Sequence, residues 1–146
     1  MCLGTMTFGF QTEEKTALSI MDTAWDAGVN FLDTADAYPM GSEETGTTEE
    51  IVGKWLSKMP RDQVVLATKA WGATGLGPND RGLSRQHILS AVDESLKRLG
   101  TDYIDLYQTH FPDHDTPIEE TLQALDDPVS YTHLRAHETE AELVCR

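Results

Sequence analysis

The sequence predicts an α/β fold, a parallel sheet with helices outside it, and more narrowly about four βα units of the N-terminal half of a (β/α)8 barrel. Three observations carry this. Short apolar runs alternate four times with stretches of helical periodicity, and repeated βα units imply a parallel sheet covered by helices. Asp33, Lys69 and His110 fall at or near the C-terminal ends of the expected strands, the ends that converge on one face in a (β/α)8 barrel. An open doubly wound sheet would instead place phosphate-binding glycines after its first strand, and TMTFGFQ (5–11) holds no G-x-G-x-x-G.

Each element has its own signal. CLGTMTF (2–8) reads as a buried strand, and Thr12 as the N-cap of a helix with Ala17, Met21, Ala24 and Trp25 on its apolar stripe. Gly28 closes that helix. VNFLDTA (29–35) is the second strand. After a polar loop, Thr47 and Glu50 have the spacing of a capping box ahead of Ile51, Trp55, Leu56 and Met59, and Pro60 stops that helix. VVLATKA (64–70) is the third strand, and a glycine-rich loop (71–82) leads to Ser84 as the next N-cap. The helix after it carries Ile88, Val92, Leu96 and Leu99 on one face and ends at Gly100. YIDLYQTHF (103–111) is the fourth strand. Thr116, Pro117 and Glu119 suit the N-cap, N1 and N3 places of a fourth helix, with Leu122 and Leu125 on its buried side.

Composition bounds the function. The 146 residues carry 11 Lys+Arg against 25 Asp+Glu, a formal net charge of −14. That excess repels nucleic acid and anionic membranes, so neither is expected as a partner. No apolar run approaches the ~18 residues of a membrane span, and no secretory leader opens the chain, so a cytoplasmic location is expected. Cys2 and Cys145 form no disulfide or zinc spacing, and no metal site is expected. His87 and His114 read as surface or capping residues. Glu43–Glu44 and Glu49–Glu50 read as solvated charge.

The polar residues at the strand ends point to chemistry when taken together. A phenol is a weak acid, with an ordinary pKa of about 10. A lysine ammonium beside Tyr38 would favour its phenolate, and a carboxylate paired with Lys69 would hold that lysine in place. A Tyr38–Lys69–Asp33 chain could then give a proton to an oxygen gaining negative charge, while His110 orients the same oxygen. Such a set suits hydride addition to a carbonyl, with a cofactor supplying the hydride. Singly, each residue also has a plainer role. Asp33 could cap a turn, Tyr38 could pack a loop, Lys69 could extend its stem from a strand end, and His110 could be a hydrogen-bonded structural histidine.

The segments LGTMTFG, GVNFLDTADAY, LATKAW and RLGTDYIDLYQTHFP resemble the aldo-keto reductases in order and spacing, across residues 2–127. The resemblance implies a catalytic tetrad of Asp33 and Tyr38 (D-T-A-x-x-Y), Lys69, and His110 (D-L-Y-x-x-H). It implies Trp71 as a substrate-pocket residue, and Gly4, Thr5 and Met6, with Asp33, near the nicotinamide end of an NADPH cofactor. The substrate class would be a small aldehyde or ketone. Most cofactor contacts would come from the second half of the barrel, so this chain alone is expected to be inactive. Two other readings stay open: a non-catalytic interaction subunit on the same fold, as some members of the family are, and a Schiff-base aldolase using Lys69.

The last 19 residues, from Pro128, break the helical pattern and hold two of the five histidines and one of the two cysteines. PVSYTHLRAHET (128–139) is the peptide that a transposase-type sequencing adapter would encode in this frame. The expected division is therefore a partial barrel at 1–127 and a non-native, poorly ordered tail at 128–146, with no role for His133, His137 or Cys145.

Overall fold

The computed structural model describes residues 1–39, 41–42 and 44–130. Four strands, β1 (Cys2–Gly4), β2 (Phe31–Asp33), β3 (Val65–Ala70) and β4 (Leu106–Thr109), alternate with α1 (Glu14–Asp26), α2 (Thr47–Leu56), α3 (Arg85–Leu99) and α4 (Ile118–Ser130). The strands pair in parallel and in chain order, β1-β2-β3-β4. A doubly wound sheet reverses its strand order part-way; an unreversed order is the wall of a barrel, here its first half.

Register decides which side chains share a face. Gly4 lies opposite Asp33, Asp33 opposite Ala67, and Ala67 opposite Leu106. Side chains alternate along a strand, so Asp33, Ala67 and Lys69 point to one side. Leu32, Leu66 and Thr68 point to the other, where the helices cover them completely or nearly so. The core lies in that second layer, where Leu32 and Leu66 pack with Met21, Ile51, Trp55, Val92 and Leu99. The periodic residues of α3 behave as the pattern requires: Ile88, Val92, Leu96 and Leu99 are all buried. Ser84 Oγ accepts the His87 N–H at 3.3 Å, and Gly100 takes the left-handed conformation (φ 64°) that ends the helix.

Several local expectations fail, most of them because a hydroxyl or carboxylate has a better partner. Thr12 does not cap α1; its hydroxyl meets that of Thr7 at 3.1 Å and its main chain closes the 7–12 turn. Glu13 takes the N-cap position without a side-chain bond. The Thr47–Glu50 capping box does not form, because left-handed Gly46 is the N-cap and the Thr47 hydroxyl turns toward the Glu44 carbonyl. Thr116 donates to Asp113 at 2.8 Å, and α4 starts at Ile118 with the Pro117 carbonyl accepting its first bonds. α4 is turned so that Thr121 and Ala124 are buried, the Thr121 hydroxyl donating to the Leu83 carbonyl at 3.1 Å, while Leu122 is 59% exposed. Glu49 is not solvated charge: it is fully buried between Thr68 and Arg98. His87 is not on the surface, being 2% exposed with its ring bonded to the Asn79 carbonyl at 3.1 Å. The strands are also shorter than their apolar runs.

The expectations for Glu43, His133, His137 and Cys145, and for the tail from residue 131, lie outside the described residues; the α4 backbone continues through Pro128 to Ser130. Among the described residues no helix is long and apolar enough to cross a membrane, and no group of three His, Cys, Asp or Glu could hold a metal ion.

Candidate active site

The strand ends bring Asp33, Tyr38, Lys69 and His110 into one linked group. Asp33 closes β2, and its carbonyl is held by both the N–H and the hydroxyl of buried Thr5, at 3.0 and 2.9 Å. Lys69 comes from β3 on the same face. Its ammonium donates to Asp33 Oδ2 at 2.7 Å and to the Thr34 carbonyl at 2.7 Å, and lies 5.3 Å from the centre of the Tyr38 ring. Tyr38 is carried on a turn whose N–H bonds the Ala35 carbonyl, and its own carbonyl receives the Gly46 N–H at 2.9 Å. The phenol oxygen stands 3.5 Å from His110 Nε2, with the rings edge to face. His110 is set by its main chain, which extends the β3–β4 pairing through a 2.9 Å bond to the Ala70 carbonyl.

Electrostatics agree with the geometry. Burial, then the charge of Lys69, holds the His110 pKa below the ordinary imidazole value, against the pull of Asp33. At neutral pH the ring is therefore uncharged and can give or take one hydrogen bond. The 3.5 Å gap to Tyr38 is loose for a direct bond, a spacing often found before substrate tightens a site.

Trp71 stands beside the group rather than in it. Its ring meets Phe111 edge to face at 5.1 Å, and Phe111 stacks on His110 at 4.8 Å. Trp71 and Phe111 are 36% and 49% exposed, so they form an aromatic wall leading from solvent to His110. Sequence reasoning missed Phe111, although an aromatic directly after a strand-end histidine was the available signal. Gly4 lies beside Asp33 in the sheet, and a Cβ built on it would meet nothing within 4 Å. Beside the Asp33–Lys69 pair the strand therefore presents bare backbone. Met6 is 48% exposed at the same end of β1, whereas the Thr5 hydroxyl is engaged with Asp33.

The family model described as "Aldo/keto reductase family" matches residues 1–131. The chain belongs to the aldo/keto reductase family. Among its relatives, the "Uncharacterized oxidoreductase YrpG" of Bacillus subtilis is 48% identical over 135 residues, covering 88% of this chain and 41% of that protein. The "Aldo-keto reductase YhdN" of the same organism is 44% identical over 137 residues, 91% of this chain and 38% of that protein. A "Probable voltage-gated potassium channel subunit beta" of Arabidopsis thaliana is 45% identical over 124 residues, 83% of this chain and 36% of the relative. The chain thus spans about two-fifths of the length of these aldo/keto reductase relatives.

Proposed function

We propose that the protein to which this chain contributes reduces an aldehyde or ketone to an alcohol, with Tyr38 as the proton donor. The observation that carries the proposal is the Asp33–Lys69–Tyr38–His110 group at the mouth of the half-barrel. A carbonyl oxygen placed against Tyr38 and His110 would meet a phenol O–H and an imidazole nitrogen. As negative charge grows on that oxygen, the phenol hands over its proton, and the Lys69 ammonium stabilises the phenolate left behind. Asp33 and the Thr34 carbonyl keep the ammonium beside the Tyr38 ring. NAD(P)H, held beside Gly4, Thr5, Met6 and Asp33, would supply the hydride. Trp71 and Phe111 would line the way in for an apolar substrate body.

The same lysine geometry weighs against a Schiff-base aldolase, because the Lys69 nitrogen is engaged by a carboxylate and a carbonyl rather than free to attack a substrate. A non-catalytic subunit is the second reading, favoured by the likeness to the Arabidopsis channel subunit. Nicotinamide oxidation with a panel of aldehydes and ketones separates the two in a protein of the relatives' length. Turnover that disappears in Tyr38→Phe supports the reductase. A folded protein that binds the nucleotide and turns over no carbonyl supports the subunit.

A further inference from the structure

The aromatic wall at the mouth of the site is carried by two loops, 71–84 after β3 and 110–117 after β4. The pairing of β3 with β4 ends where the His110 N–H meets the Ala70 carbonyl, one residue before each ring. Beyond that point Trp71 and Phe111 meet edge to face at 5.1 Å, both partly exposed. Such a contact is a modest hold by itself.

The carboxylate of Asp113 joins the two loops. Its Oδ2 accepts the Leu83 N–H from the first loop at 2.7 Å and the Thr116 hydroxyl from its own loop at 2.8 Å, while Oδ1 accepts the Asp115 N–H at 3.0 Å. These N–H groups, Leu83 first, hold the Asp113 carboxyl below the ordinary carboxylate range, against desolvation. The acceptor is therefore charged at neutral pH. The first loop approaches it so closely that Gly82 has no room for a side chain: at φ 86° a Cβ there would lie 2.7 Å from Asp113 Oδ2.

From Asp113 the bonds run on to the wall. The Gly82 N–H donates to the Trp71 carbonyl at 2.9 Å, and the carbonyl of the adjoining Leu83 accepts the Thr121 hydroxyl at 3.1 Å. Asp113 itself lies two residues after Phe111. Trp71, Gly82, Leu83, Asp113 and Phe111 thus make a circuit that the ring contact closes. Trp71 sits in it with φ 149°, a conformation that persists only where the surroundings impose it. On its other side the Trp71 turn meets the Tyr38 turn closely, since a Cβ on Gly72 would collide with that of Ala37, and Asp36 is fully buried there. Between the two loops lies a cavity of about 520 Å³ to which Trp71, Arg81, Ser84, Asp113 and Thr116 contribute.

We propose that Asp113 is a positioning residue for the carbonyl substrate: by tying the loops together at Leu83 it fixes the Trp71 ring against Phe111, and so sets which substrate bodies fit beside the reacting group. This rests on the reductase reading of the site. The class it favours is an aldehyde or ketone with a flat aromatic body that lies against the wall. A short aliphatic aldehyde would reach Tyr38 without leaning on it.

The test uses a protein of the relatives' length, with naphthaldehyde and propanal as the two probes. Asp113→Ala is expected to raise KM for naphthaldehyde several-fold with kcat retained, and to move KM for propanal far less. Asp113→Asn, whose amide oxygen can still accept the Leu83 N–H, should restore most of the difference. Crystal structures should show the two rings further apart than 5.1 Å in Asp113→Ala and in contact in Asp113→Asn. Equal rises in KM for both aldehydes, a fall in kcat alone, or rings still in contact in Asp113→Ala overturn the proposal. If Asp113→Ala does not fold, Gly82→Ala takes its place, pushing the loop off an intact carboxylate, and the same selective rise is required. Absence of turnover in the unsubstituted protein would sink the reductase reading, and the ring separation would still decide the hold on Trp71.

Discussion

At the scale of single residues, the proposed chemistry depends on one phenol oxygen and what surrounds it. Tyr38→Phe removes the proton and little else, because the ring stays beside Lys69 and His110. In a protein of the relatives' length, a fall in kcat of about 10²–10⁴-fold is expected, the usual worth of a placed general acid. Circular dichroism should be unchanged. Near-normal turnover would remove Tyr38 from its role. His110 adds a pH signature. Its pKa is held below the ordinary ~6.5, so the competent neutral ring is present above that value. As pH falls through the lowered pKa, a second positive charge appears beside Lys69 and its hydrogen-bond acceptor is lost. The acid limb of the kcat/KM profile should therefore lie below pH ~6.5 and vanish from the residual activity of His110→Ala. Persistence of the limb would assign it to another group.

At the scale of elements, the Glu49–Arg98 pair joins α2 to α3, and Thr68 ties both to β3. Glu49 is fully buried and Arg98 largely so, so truncating one partner strands the other charge. Arg98→Ala should lower stability by about 3–5 kcal/mol. Lys54→Ala, which breaks an ion pair to Glu14 at the surface, should cost far less. Urea melts of the two variants compare them directly, and equal losses would show that burial of Glu49 is not what matters. Asp36 has the opposite sign. Folding raises its pKa from an ordinary 3.8 to about 7, so the unfolded chain ionises first and the fold loses stability as pH rises through that window. Asp36→Asn should then melt higher than the unsubstituted chain at about pH 8 and no higher at about pH 4; a gain at acid pH instead would reverse the argument. These pairs also explain what could be read from sequence. The α3 stripe, its Ser84 cap and its Gly100 stop were legible because each depends on neighbours three or four positions away. Thr12, Thr47 and Thr116 looked like caps by the same rules, but their hydroxyls chose other partners within the loops. Glu49 was illegible because only the fold brings Thr68 and Arg98 to it. The four strand-end residues were legible as a set, whereas Phe111 and Asp36 gain meaning only from the turns packed around them.

At the scale of the whole molecule, the chain is two-fifths of the length of its relatives, and its sheet has the geometry of that fraction. Among the described residues, β1 and β4 each pair on one side only. Val65 and Leu106 are 36% and 37% exposed on the strands, and Ile118 and Leu122 are 60% and 59% exposed on α4. Unpaired strand edges beside exposed apolar side chains invite association with other chains. The proposed reacting group, by contrast, is already assembled by these four strands, each member held by contacts within the described residues. Assembly and completeness therefore separate in this molecule. The chain alone should bind a hydrophobic dye, and its sedimentation coefficient should rise with concentration. It should also show no carbonyl turnover above background, since of the groups proposed to hold the nucleotide it supplies only Gly4, Thr5, Met6 and Asp33. Joined to the remainder of a relative's barrel, it should sediment as one species, lose dye binding and gain turnover that depends on Tyr38. A chain that stays monomeric and dye-free at all concentrations would mean that its inner face is covered from within. Turnover by the chain alone would mean that four strands are enough to hold the nucleotide, and the division of labour between the two halves of the barrel would have to be redrawn.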